Sequence, residues 1–161
     1  MTLDEYLVSP DFLAFQDEAL RHEAIRAVRT ILSAAPAVKR NQLQVIPSVI
    51  QGASLDGLRR LAEQQKGKNT KRENKDFWTR IHQLLSATES SEAALYPFLR
   101  SFLLERGIIE DVDGTAEKKD LKQMQKRQRV MVEAFMERII GVYFEHFTCH
   151  YFLEIGQRRA E

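Results

Sequence analysis

Val130–Leu153, VMVEAFMERIIGVYFEHFTCHYFL, is the stretch whose reading decides the fold class. Phe135, Ile139, Ile140, Val142, Tyr143, Phe144, Phe147, Tyr151 and Phe152 recur at helical intervals, and apolar residues fall on every side of the resulting helix. A helix that is greasy all round must be covered by neighbouring helices or by another subunit. The segment is therefore expected to be the largely buried central pillar of the molecule. Glu133, Glu137, Arg138 and Glu145 interrupt it and Glu154 follows directly, so it does not read as a bilayer span.

The rest of the chain repeats the helical period. Thr2 with Glu5 makes a capping box for a short first turn, and Ser9-Pro10-Asp11 restarts the chain as a cap, a first-turn proline and an acid. From there Leu13, Leu20, Ala24, Ala27, Val28 and Ile31 predict one amphipathic helix running to Ala35 and ended by Pro36. A second helix is expected over about 39–51, carrying Leu43, Val45, Ile46, Val49 and Ile50, kinked or split at Pro47 and ended by Gly52. Ser54 caps a third, with Leu55, Leu58, Leu61 and Ala62 inward and Arg59, Glu63 and Lys66 on its outer stripe. Residues 67–73 form a flexible basic loop, after which Asn74 caps a helix with the apolar face Phe77, Trp78, Ile81, Leu84 and Leu85. Ser90 and Ser91 precede a fifth helix, interrupted near Pro97 and ending at Arg106-Gly107. An acidic loop, 110–114, leads to Thr115, the expected cap of the last helix, which runs to about residue 153.

No strand-like alternation and no internal repeat is present, and 7 glycines and 4 prolines are too few for a turn-rich β-domain. The expectation is all-α: a single domain spanning 1–161, built as a bundle of five to six helices with a long, largely buried C-terminal helix.

The net charge of +1 averages over blocks of opposite sign. Residues 1–30 carry three Arg against six acids, 39–80 ten cations against four acids, 81–117 two against seven, and 118–161 nine against six. Segregation of this kind suggests distinct faces for distinct partners. Cys149 is the sole cysteine, which excludes an internal disulfide and a cysteine-based zinc cluster. With Asp4 and Glu5 at the start in place of a basic-then-apolar leader, the expected compartment is the cytoplasm.

The strongest functional signal is the cation cluster Lys39, Arg40, Arg59, Arg60, Lys66, Lys68, Lys71, Arg72, Lys75 and Arg80. Cations around a mobile loop can displace condensed counterions and follow a phosphate backbone. Lys118, Lys122, Lys126 and Arg129 line one face of the last helix as a possible extension of the track. A plain solvated surface is the competing reading, since no RNP, KH or helix-turn-helix pattern accompanies the cations.

A second cluster is His146, Cys149 and His150, spaced to share a helix face as metal ligands would, with His82 or Glu23 as completing groups. Paired Glu-x-x-His and His-Glu-x-x-His motifs are missing, and a thiol in mid-helix is ordinarily inert. Gly67-Lys68 lacks the glycine pattern of a phosphate loop. Phe77 and Trp78 fit the core spacing of their helix better than a base-stacking role. Three readings stand: a non-catalytic RNA-binding protein without cofactor, a protein-interaction scaffold without nucleic acid, and a metal-binding bundle enzyme using His146 and His150.

Lys39-Arg40-Asn41-Gln42-Leu43 at a helix opening, the helix–basic turn–aromatic-led helix from Leu58 to Phe77, and Tyr143-Phe144-Glu145-His146-Phe147 through His150-Tyr151-Phe152 occur here in order. Over about residues 38–152 this pattern resembles the small subunit of type III CRISPR effector complexes. The acidic loop at 110–114 and the charged lead-in at 115–129 depart from it. The resemblance implies an all-helical subunit that stacks on copies of itself within a ribonucleoprotein, contacts the other subunits, and lines a channel for guide and target RNA. Catalysis would lie in other subunits. It also implies that Lys39, Arg40, Arg59, Arg60, Lys66, Lys68, Lys71, Arg72 and Arg80 meet backbone phosphate.

Overall fold

A computed structural model describes residues 1–34, 36–50, 54–86 and 93–160. Every regular element among them is helical: α1 Leu3–Leu7, α2 Pro10–Asp17, α3 Ala19–Ala34, α4 Arg40–Ile50, α5 Leu55–Lys68, α6 Arg72–Leu85, α7 Tyr96–Glu105 and α8 Lys118–Ala160. No helix among the described residues is long and apolar enough to cross a membrane. The expected ends at Ala35 and Gly52, and the lead-in at Ser90 and Ser91, lie outside the described residues.

α8 is the organising element. Its 43 residues make a rod of about 65 Å. Val132, Phe135, Met136, Ile139, Ile140, Tyr143, Phe144, Phe147 and Tyr151 are buried along one side at three- and four-residue steps. The other side is open: Val130 is 61% and Leu153 53% exposed, and Cys149 is exposed. Burial is thus one-sided, and the all-round greasiness of the sequence overstated it. The helix also starts later and ends later than expected. Thr115 does not cap it; its N–H and hydroxyl both donate to Asp113 and close a turn instead.

α3 packs along α8, α5 and α6 form an antiparallel pair, and α2, α4 and α7 close the remaining flanks. At the level of Phe135 an aromatic knot gathers Tyr6, Phe12, Phe15 and Phe102, with Phe15 and Phe102 ring centroids 4.2 Å apart. Farther along, Tyr151 meets the edge of Phe77, which in turn abuts Trp78.

The single helix expected over 10–35 is two, broken at Glu18 (φ −114°, ψ −72°). The break resets the helical phase. Phe12 and Phe15 therefore face the core, and Leu13, placed inward by a continuous-helix reading, is 64% exposed. With the short α1 this brings the count to eight helical segments among the described residues. α4 continues through position 47, so the proline does not split it. Pro97 sits in the first turn of α7 rather than interrupting it, because a first-turn proline gives up no helical hydrogen bond.

Expected caps form at Thr2, with its reciprocal Glu5 bond, and at Ser54, which accepts the Gly57 N–H. α5 has a second anchor that local sequence does not reveal: the Glu137 carboxylate of α8 accepts the Leu55 N–H at 2.9 Å. α7 ends in a Schellman turn, in which the Ile108 N–H reaches the Leu103 carbonyl and Gly107 takes φ +69°.

Candidate nucleic-acid interface

The basic loop is shorter than its composition suggests. α5 continues through Gly67 to Lys68 and α6 starts at Arg72, leaving only Asn69–Lys71 as connector. The Asn69 side-chain amide donates to the Gln65 carbonyl at 2.7 Å and closes α5. Lys71, not Asn74, holds the cap position of α6, and its carbonyl accepts the Lys75 N–H. Lys68, Lys71, Arg72 and Lys75 are therefore exposed cations on a helical hairpin.

The tertiary fold brings a distant segment to this hairpin. Lys39 and Asn41, at the start of α4, face Asn69, Thr70, Lys71, Glu73 and Asn74 across a polar cleft of about 360 Å³. Neither Lys39 nor Lys71 has an ion-pair partner among the described residues. Next to the cleft, the Arg40 guanidinium lies 5.6 Å from the Phe152 ring centroid, a cation–π contact that ties the α4 start to the far end of α8. Arg72 sits 3.9 Å from Asp76 yet is 93% exposed, so that pair is loose.

Other expected members of the cluster have different employment. Arg59 is turned inward: its Nε donates to the Leu85 carbonyl (2.9 Å) and its Nη2 to Glu133 (3.0 Å), while Asp56 lies 3.6 Å away. It braces α5, α6 and α8, so it is not the outward phosphate contact that the sequence reading expected. Trp78 and Phe77 are likewise committed to the core, the indole N–H donating to Gln42 at 2.8 Å. Lys66 and Arg80 are half-buried and Arg60 is exposed.

Lys122, Lys126 and Arg129 are exposed, but not as an extension of this surface. Phe152 marks the level of the cleft on α8, and the 26 residues back to Lys126 correspond to about 39 Å of helix. The cations form two separate patches near opposite ends of one rod. The acidic loop is partly structural, tying α7 to α8: Arg100 joins Gln128 and Asp111, and the Glu110 carbonyl accepts from Gln128.

The histidine cluster does not assemble. His146 Nε2 lies 2.9 Å from the Gln16 carbonyl, Glu23 is taken by Arg26, His82 pairs with Glu63 at 3.2 Å, and Cys149 points to solvent. No group of three or more metal-ligating side chains is found among the described residues. Burial holds the His150 imidazole below its ordinary pKa of 6.5, and His146, Arg21 and Arg29 add to the effect against Glu154.

Sequence reasoning missed Asn41, Asn69 and Thr70 as cleft walls and Phe152 as the platform under Arg40. Neutral residues give no charge signal, and nothing local reports that position 152 returns to position 40. Comparison with protein families, with characterised proteins and with solved structures finds no match for this chain.

Proposed function

We propose that this protein is a non-catalytic RNA-binding subunit of a ribonucleoprotein assembly and grips the RNA backbone with its α4/α5–α6 end. The observation that carries the reading is the meeting of Lys39 with Lys71, 32 positions apart, in one polar cleft. Arg40, Lys68, Arg72 and Lys75 flank it as exposed cations. Clustered, exposed cations that outnumber the carboxylates beside them gain by releasing condensed counterions, and that release supplies most of the free energy of backbone binding. Contacts of this kind position a strand without reading its bases. The wider setting, a type III CRISPR effector complex with guide and target RNA and self-stacked copies of the subunit, belongs to the same proposal and rests on the resemblance over 38–152.

A scaffold without nucleic acid is the second reading, favoured by the outward apolar residues Val130, Met131, Phe152 and Leu153 of α8. Fluorescence anisotropy with labelled 20-nucleotide oligo-U and oligo-A at low salt separates the two. Near-equal, saturable binding is expected. Absence of binding to both, or a strong preference for one, overturns the RNA-backbone reading.

A further inference from the structure

We infer that the cleft between the start of α4 and the α5–α6 connector is a discrete site for one phosphate group. It deepens the RNA-backbone reading and rests on it only for where the phosphate comes from. Two ammoniums, Lys39 and Lys71, face the cleft against a single carboxylate, Glu73, so its charge balance selects an anion and repels a metal cation. The Asn41 side chain and the Thr70 hydroxyl supply neutral donors. Asn69, whose amide is spent on Gln65, acts as wall.

Two features suit a phosphate. The cations at the cleft are separate lysine point charges, which can each meet a different oxygen of a tetrahedral anion without the fixed geometry of a guanidinium fork. A volume of about 360 Å³ also falls within the size of small-molecule sites, with room for a phosphoryl group and its attached sugar. The site is built on helix ends, and the Asn69–Gln65 bond holds its connector.

The test is titration of inorganic phosphate into the full-length chain, followed by amide chemical shifts at constant ionic strength. Saturable shifts confined to residues 37–41 and 69–74 are expected. Lys39→Gln and Lys71→Gln should each weaken binding by up to about fivefold, and Glu73→Gln should strengthen it about twofold, a gain that misfolding cannot mimic. Shifts that chloride reproduces, that never saturate, or that ignore all three substitutions overturn the inference. A 20-nucleotide RNA titrated in parallel separates this inference from the reading beneath it. RNA binding without a saturable phosphate site removes the inference and leaves the RNA-backbone reading standing. Phosphate binding that RNA does not compete for removes the RNA-backbone reading, keeps the inference, and identifies a free phosphate as the ligand.

Discussion

Replacing Lys39, Lys68 and Lys71 together by glutamine should halve the salt dependence of RNA binding. Six cations crowd the cleft end: Lys39, Arg40, Lys68, Lys71, Arg72 and Lys75. If each neutralises one phosphate of a single strand, log K falls against log salt with a slope of about −4.2, and affinity drops about 300-fold between 50 and 200 mM salt. Removing three cations leaves a slope of about −2.1 and a drop of about 20-fold over the same range. Anisotropy at four or five salt concentrations resolves this difference, and circular dichroism checks that the helices persist. The matching control replaces Lys122, Lys126 and Arg129, which lie at the other end of α8. Its slope should stay near that of the unmodified protein. An unchanged slope in the cleft variant refutes the reasoning; an equal fall in both variants refutes the separation of the two basic patches.

Three further outcomes test the fold. Phe135→Ala, which empties the centre of the Tyr6–Phe12–Phe15–Phe102 knot, should cost about 3–5 kcal/mol in urea unfolding; a loss below 1 kcal/mol would mean the knot is loosely packed. Gly107→Ala forces a side chain into φ +69° and should cost about 1 kcal/mol, seen as a fall of about 3 °C in Tm, with no fall if the turn is not left-handed. His150 has its folded pKa depressed, so the unfolded chain takes up its proton first as pH drops. Stability should therefore decline on acidification through about pH 6.5, and His150→Gln should flatten that decline between pH 7 and pH 5; an unaltered profile would place the acid sensitivity elsewhere.

Much of the architecture was legible because helices announce themselves locally. The buried faces of α3 and α6, the Thr2–Glu5 box and the Ser54 cap each depend on residues within about one or two turns of each other. Errors arose where the same local rules permit two outcomes. A basic stretch from Gly67 to Glu73 reads as a loop, yet all of it but Thr70 is absorbed into α5, α6 or their caps. A continuous period from Leu13 to Leu20 reads as one helix, and only the break at Glu18 shows that the phase was reset. All-round greasiness in α8 reads as full burial, yet the neighbouring helices leave part of it, including Val130 and Leu153, exposed.

Helical class, charge segregation and most core positions were determined by the chain itself, since a period of 3.6 residues and a cap are properties of neighbours in sequence. Which cations are free was decided only in three dimensions. Arg59 and Lys71 look alike in the sequence, but packing turns one onto Glu133 and the Leu85 carbonyl and leaves the other opposite Lys39. The physical reason is that a side chain's partner depends on how its helix is rotated and set against others. Contacts between residues tens of positions apart fix that placement, as Phe77 against Tyr151 and Arg40 over Phe152 do here.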